Sequence, residues 1–450
     1  MARFRFALFL KGVVLILAPL AAFGQLNSHV LVQNESFLSP QFEATEQNQY
    51  QFYGLRLRNS LDAEFLMLDT EAVLAPDAPV LSYIKVKEAA VQFQNQKSQT
   101  LSVGRKKKTW SSLDDRWALG VIEPVFKWNP LNRDSLGLTG LFWNVEEEKW
   151  QFSAFWSPLF LPDQGPNFEI NKSGEFKKIN PWFQTPPRTF RPFPNSDANS
   201  SINYNVNRPP ESEIIMQSTL GGSLEGLVQE SWLWRVSHFY KPMNQLALGY
   251  SGFYVVESRE GDVAITPEVA FHRVTAVDFA WRPGPFELGV MGLQDEPSQA
   301  AFESAVTAPR FESALIYSAY AQVNFGRQAI SAEYMTIDGG RVREVGALAD
   351  PERAPITSRY PFYQASRLRY RFKVPFTHLD RLTMDTSWTH SDRNQFDLIQ
   401  VRGQFEFRRR WQTYTDMQFV RANKLNSRNH NDISSYENND RLMVGVSYEM

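Results

Sequence analysis

The chain ends Leu442-Met-Val-Gly-Val-Ser-Tyr-Glu-Met450, and the parity of these nine residues decides the fold. Leu442, Val444, Val446, Tyr448 and Met450 share one parity; Met443, Gly445, Ser447 and Glu449 share the other. Successive strand side chains point to opposite faces, so one face is apolar and aromatic and the other small or polar. Such a face needs lipid or a core against it. Together with a secretory start at the other terminus, the pattern suggests a transmembrane β-barrel closed by its own last strand.

The same alternation recurs upstream. Val401, Gly403, Phe405 and Phe407 alternate with Arg402, Gln404, Glu406 and Arg408. Leu368, Tyr370, Phe372 and Val374 alternate with Arg367, Arg369, Arg371 and Lys373. Leu315, Tyr317, Ala319, Ala321, Val323 and Phe325 alternate with polar neighbours, as do Thr275, Val277, Phe279 and Trp281 with Ala276, Asp278 and Ala280. No helix places every second residue on one face, so these segments are strands.

Connections alternate in length. Short ones fall at Asn59–Asp62, Asn95–Ser98, Val145–Lys149, Val228–Ser231, Arg282–Pro285, Gly326–Gln328, Thr377–Asp380 and Arg408–Trp411. Longer, polar stretches lie between them at 36–46, 75–80, 109–134, 159–211, 242–265, 295–312, 339–360 and 423–440; only Ser391–Asn394 is short where a long one is due. Short periplasmic turns and long outer loops are the topology of bacterial outer-membrane barrels. The expectation is an all-β, antiparallel up-and-down transmembrane β-barrel of about 18 strands (roughly 16–20) over residues 25–450. Residues 244–257 are ambiguous and fit an extra hairpin above the membrane.

Compartment and composition agree. Arg3 and Arg5 precede a stretch from Ala7 to Ala22 interrupted only by Lys11 and Gly12, followed by the small-x-small site Ala22-Phe23-Gly24. This reads as a signal peptide, 1–24, cleaved before Gln25. Its apolar core is about ten residues, half of what a spanning helix needs. No later stretch approaches twenty apolar residues, yet the chain carries 12 Trp, 16 Tyr and 34 Phe. A barrel explains that mixture, because lipid-facing residues alternate with polar lumen residues and aromatics form interfacial girdles. A soluble sandwich or jelly roll does not. With no cysteine there are no disulfides, and a net charge of −2 makes no case for nucleic acid.

The stretch Lys85–Trp110, reading KVKEAAVQFQNQKSQTLSVGRKKKTW, with Asp114-Asp115 after it, resembles the early hairpin of alginate-export-type and related large outer-membrane porins. The segment Thr219–Tyr240, TLGGSLEGLVQESWLWRVSHFY, resembles another hairpin of those families. The resemblance covers a small part of the chain and departs at Trp110-Ser111, where Trp-Gly is expected. It implies the architecture and no ligand.

Arg367, Arg369, Arg371 and Lys373 are the sharpest functional candidates. If Leu368, Tyr370 and Phe372 face lipid, the four cations face the lumen; the reverse would cost roughly 2–4 kcal/mol per cation at mid-bilayer. Basic rows in a pore select anions, unless carboxylates such as Asp385 and Glu406 pair with them. Arg402, Glu406 and Arg408 extend this wall. A second basic group comprises Arg56, Arg58 and Arg105–Lys108, with Lys106 and Lys108 inward and Arg105 and Lys107 in the headgroup or loop zone. Glu64, Asp69, Glu71 and Glu88 are its counter-charges. The long loop 159–211 interleaves prolines with Phe160, Phe168, Phe176, Trp182, Phe183, Phe190 and Phe193. So many aromatics must pack: as a constriction or plug folded into the mouth, as a cap, or in a subunit contact. Residues 109–134 are expected to pack with it.

No catalytic, cofactor or metal site is expected. The six histidines show no metal-ligand spacing, and the enzymatic alternative is a site assembled from different strands, such as His238 and His272 with Asp278. The reading is a porin in the outer membrane of a Gram-negative bacterium, passing small hydrophilic solutes, anions among them. Its partners would be outer-membrane lipid and lipopolysaccharide, the barrel assembly machinery at Leu442–Met450, and further copies in a homo-oligomer. The alternatives are a non-conducting surface receptor or adhesin barrel, and a polysaccharide exporter.

Overall fold

The computed structural model describes residues 26–450 apart from 39–47, 60–64, 97, 178, 191–198, 256–259, 299–306, 347–356, 376–380, 393–394, 408–409, 423–432 and 438. The proposed signal segment and Arg408 therefore lie outside the described residues.

Eighteen strands form one antiparallel sheet. The first seven are β1 (Leu26–Phe37), β2 (Gln49–Asn59), β3 (Leu66–Leu74), β4 (Tyr83–Gln96), β5 (Gln99–Lys106), β6 (Leu138–Glu146) and β7 (Trp150–Ser157). The next six are β8 (Thr219–Val228), β9 (Trp232–Pro242), β10 (Phe271–Trp281), β11 (Phe286–Pro297), β12 (Ala314–Phe325) and β13 (Gln328–Gly339). The last five are β14 (Gln364–Pro375), β15 (Arg381–Ser391), β16 (Phe396–Phe407), β17 (Trp411–Ala422) and β18 (Arg441–Glu449). Each pairs with its sequence neighbour, and β18 also pairs with β1 in the register His29 to Glu449 through Phe37 to Arg441. The sheet closes on itself and leaves no edge.

The parity read from the sequence is the wall's inside–outside pattern. Val30, Val32, Leu101, Val103, Val277, Phe279, Leu315, Tyr317, Leu368, Tyr370, Val444 and Val446 are exposed on the outer surface. A continuous apolar exterior of this kind would aggregate in water and is satisfied by hydrocarbon. With polar side chains inward and every strand paired, the protein is an outer-membrane barrel contacting lipid and lipopolysaccharide. Gly445 illustrates how register is held: a Cβ there would come 2.2 Å from the Tyr414 ring across the β17–β18 pair. The bare glycine lets Tyr414 lie along the wall and donate to Gln33 Oε1 at 3.0 Å.

Two irregularities break strict parity. A bulge in β4 between its pairings Asp69–Glu88 and Thr70–Val86 adds Lys87 to the strand. Ile84 is exposed before it, and Val91 and Phe93 after it, so outward residues change from even to odd. In β5, Gly104 adopts φ +123°, where a Cβ would meet the Ala89 carbonyl oxygen at 2.3 Å. Arg105 consequently turns inward: it is buried and donates to the Gly137 carbonyl at 2.9 Å. Lys107 pairs with Asp115 at 3.1 Å. Neither occupies the headgroup zone that strict alternation predicts for them.

Above the wall, four long connections build a second, seven-stranded sheet. Residues 158–218 contribute Thr189–Phe190 and Ser200–Val206, and residues 243–270 contribute the hairpin Ala247–Val255 with Glu260–Glu268. Thr307–Phe311, Arg341–Gly346 and Thr357–Ser358 complete it. The described part of the ambiguous segment 244–257 thus supplies one strand, Ala247–Val255, of a hairpin in this cap. No helix among the described residues is long and apolar enough to cross a membrane.

Candidate functional site

The site is the lumen, and residues 107–137 shape it. An eighteen-stranded barrel is wide enough for an aqueous channel unless something fills it. Here the connection between β5 and β6 turns inward. Ser111 caps a short helix, α1 (Ser112–Trp117), by accepting from the Asp114 amide, and Ala118 ends it in the left-handed region. Asp114 then accepts from the amides of Val121 and Ile122 at 3.0 and 2.8 Å, folding the chain back on itself. Burial nonetheless lifts the Asp114 carboxyl above its usual range, outweighing those two bonds.

The segment is tied to distant parts of the wall. Trp117 Nε1 donates to Ser318 Oγ at 3.0 Å, and Arg116 Nη1 lies 2.9 Å from Glu333 Oε1. Ser112 N reaches Asp278 at 2.6 Å. Farther along, Asn129 Nδ2 donates to Gln418 at 2.8 Å, and the Leu131 carbonyl accepts from Gln400 at the same distance. On one side Trp110 packs with Phe142, Phe155 and Phe239, all buried, and fills the outer lumen beside β6, β7 and β9.

What remains on the other side is a cavity of about 710 Å³. It extends from His29, Arg58 and Ser447, at the short-turn end, to Glu35 and Trp182, near the long-loop end. Its lining carries seven cations, Arg56, Arg58, Lys85, Lys87, Arg133, Arg402 and Arg441, against the four carboxylates of Glu35, Glu71, Asp134 and Glu406. Most cations are paired: Arg56 with Asp69 at 2.8 Å, Lys87 with Asp134 at 2.8 Å, and Lys85 with Glu71 and Asp134 at 3.6 and 3.5 Å. Buried Arg441 bridges Glu35 at 2.7 Å and Asp416 at 2.9 Å. Among the described residues, Arg58 and Arg133 have no carboxylate within ion-pair distance. Arg133 also lines a neighbouring cavity of about 180 Å³ beside β14–β16, so it stands where the two spaces adjoin.

Trp182, from the loop 159–211, roofs the large cavity. It is 2% exposed, with its ring 5.5 Å from Phe37 and 6.1 Å from Tyr436, and Arg441 lies 5.7 Å beneath. Asn439 donates to the Pro181 carbonyl at 2.7 Å, and Tyr436 to the Trp182 carbonyl at 3.3 Å. The same loop's other described aromatics pack in the cap, Phe168 on Phe183 at 4.8 Å and Phe190 against Tyr254 at 5.8 Å. Loop 159–211 therefore divides its work between cap and mouth, while the segment that crosses the lumen is 107–137.

The arginine row faces inward and is largely neutralised. Arg369 and Arg371 both engage Asp385, with Arg369 Nε 2.7 Å from Oδ1 and Arg371 3.2 Å from Oδ2. Arg367 lies 3.6 Å from Glu333, stacks 4.1 Å over Trp117 and donates to the Arg116 carbonyl at 2.7 Å. Lys373 is exposed near the short-turn rim. Arg402 donates to Asn132 on the crossing segment, and Glu406 accepts from Arg381 rather than from the row. Lys106 and Lys108 point into a separate recess. Sequence reading missed Arg133, Arg116 and Arg441; the first two sit in a loop without period, and only the close run Asn132-Arg133-Asp134 marked polar work there.

His238, His272 and Asp278 do not converge. His238 meets Thr275 at 2.9 Å, His272 meets Asp295 at 2.7 Å, and Asp278 meets Arg235 at 3.3 Å. The described residues contain no grouping of His, Asp and Glu able to hold a metal ion.

The sequence matches no family model and no curated protein. Solved structures resemble it in outline. OccK2 (OpdF) of Pseudomonas aeruginosa aligns over 94% of this chain and 97% of its own at 11% identity, with a TM-score of 0.44. The outer membrane protein OpdK of the same organism covers 95% and 99% at 9% identity and 0.43, and OmpT of Vibrio cholerae in a trimer form 94% and 99% at 10% and 0.40. Likeness at this level says nothing about solute, and the reading of the lumen rests on its own side chains.

Proposed function

We propose that this protein is an outer-membrane channel for passive diffusion of small hydrophilic solutes, with anions favoured. The observation that carries the proposal is the polar cavity of about 710 Å³ with its excess of cations. A water-filled, mixed-charge path along the wall is what a diffusion channel requires, and unpaired basic side chains in it favour anions. Arg58 and Arg133 supply the uncompensated charge, with Arg402 beside them; Arg367, Arg369 and Arg371 set wall structure through their carboxylate partners. Trp182 acts as the outer closure, so conduction proceeds when it is displaced. In this proposal residues 1–24 are the cleaved signal, 25–450 the barrel, Leu442–Met450 the segment read by the assembly machinery, and a homo-oligomer its assembly.

Planar-bilayer recording with ion substitution tests this directly. A reversal potential displaced toward the anion equilibrium supports it; absence of conductance even in Trp182→Ala would remove it. The cap and closed mouth favour a second reading, a surface receptor whose outer loops bind a partner, and the non-conducting outcome would select it. Export of a polysaccharide chain, the alternative attached to the alginate-export resemblance, needs a wide lumen, and residues 107–137 divide this one.

A further inference from the structure

Across the crossing segment from the large cavity lies a recess of about 340 Å³ that the channel reading leaves unused. Lys106 and Lys108 form its inner end, and its lining reaches Thr100, Glu146 and Gln151 at the short-turn ends of β5, β6 and β7. Trp110, packed on Phe142 and Phe155, lies on its outer side, with Lys108 Nζ 5.3 Å from the indole centre. The recess is therefore a blind alcove facing the periplasm.

Its charges are unequally matched. Glu225 is taken by Arg235 at 2.7 Å, and Lys107 has Asp115. Lys106 Nζ donates to Gln92 Oε1 at 3.0 Å and Ser102 Oγ at 3.1 Å, and Lys108 Nζ donates to Ser153 Oγ. Among the described residues neither ammonium has a carboxylate within ion-pair distance; the free acid of the alcove is Glu146, at the rim. Each ammonium carries three donors, so capacity remains after these neutral acceptors are served. Two like charges held in one partly dehydrated recess are costly unless an anion joins them. Burial has already pushed Lys108 down to about 8, with Arg235 and Lys106 acting in the same sense and Glu225 and Glu146 against it.

We infer that the alcove is a binding site for a small divalent oxyanion of the phosphate or sulfate class, presented from the periplasmic side. Such an ion bridges Lys106 and Lys108, offering each a charged acceptor that glutamine and serine do not. It meets two positive charges with two negative ones. Because Lys108 loses its charge above its lowered pKa, affinity for sulfate, which is divalent throughout this range, is present near pH 7 and falls as pH rises past about 8. Lys106, Lys107, Arg235, Glu146 and Glu225 are the other titratable groups lining the alcove, Lys107 being paired with Asp115.

The test is calorimetric titration of the full chain in detergent with inorganic phosphate and sulfate, using acetate and chloride as controls. Lys106→Gln combined with Lys108→Gln should weaken phosphate binding by about tenfold or more. Lys108→Arg, which keeps its charge, should hold affinity at about pH 9 where the native chain loses it. Folding of each variant is checked by heat-modifiable gel mobility. No saturable phosphate binding overturns the inference. So does binding that survives in the double glutamine variant and disappears in Arg58→Gln with Arg133→Gln. The readout is binding, so it stands or falls independently of conductance.

Discussion

Replacing Trp182 by alanine should open the barrel. The indole holds the closed mouth through ring contacts with Phe37 and Tyr436 and through its position over Arg441. Aromatic pairs contribute about 0.5–1.5 kcal/mol each beyond area burial, and a partly desolvated cation–π contact about 1–2 kcal/mol. The hydrogen bonds from Asn439 and Tyr436 go to backbone carbonyls and survive the substitution. Alanine thus removes about 2–5 kcal/mol from the closed arrangement, shifting a closed–open balance by a factor of roughly thirty to five thousand. Single-channel recording should show open occupancy rising by at least an order of magnitude, and liposome-swelling rates for uncharged sugars rising with it. Trp182→Phe, which retains ring contacts, should lie between. If Trp182→Ala conducts as the native chain does, with the same open dwell times and a folded barrel, the mouth is not closed by this residue and the reasoning fails.

Three further outcomes follow from the charge and backbone geometry. Arg58→Glu with Arg133→Glu should move the reversal potential toward cations more than Arg369→Glu with Arg371→Glu, because the latter pair already shares Asp385; the opposite order in bi-ionic recordings would refute the assignment. Asp134→Asn should increase anion preference by freeing Lys87 and leaving Lys85 with Glu71 alone, measurable as a larger chloride-to-potassium permeability ratio. Gly104→Val should lower the temperature at which the barrel loses its folded gel mobility, since a side chain would enter a left-handed backbone against the Ala89 carbonyl, a strain on the order of 1–3 kcal/mol or more; unchanged mobility at all temperatures would show that β5 relaxes around it.

The wall was legible because each strand answers to one local rule. Leu368, Tyr370 and Phe372 must meet hydrocarbon whatever else the chain does, so alternation alone placed Arg367, Arg369 and Arg371 inside and located the turns around them. The rule failed where the backbone left ideal geometry, at Lys87 and at Gly104, since a bulge or a positive φ changes parity without changing composition. Pairing was legible where partners are strand neighbours: Asp385 lies opposite Arg371 in the β14–β15 register, whereas Glu333, opposite Arg367 in the β13–β14 register, is shared with Arg116 from 217 residues away.

The lumen resisted reading for a related reason. Residues 107–137 have no period, and their position is set by bonds to Asp278, Ser318, Glu333, Gln400 and Gln418, five strands whose order around the barrel must exist first. Prolines and aromatics drew attention to loop 159–211, where much of that apolar surface packs against the cap. The crossing segment has only two prolines and four aromatics to mark it, yet Trp110, Leu113, Trp117 and Ile122 are almost fully buried because the wall surrounds them. In a soluble domain such a segment would be core. Inside a closed barrel it becomes the element that decides how much of the lumen stays wet, and the cations it leaves unpaired, Arg133 above all, face that water.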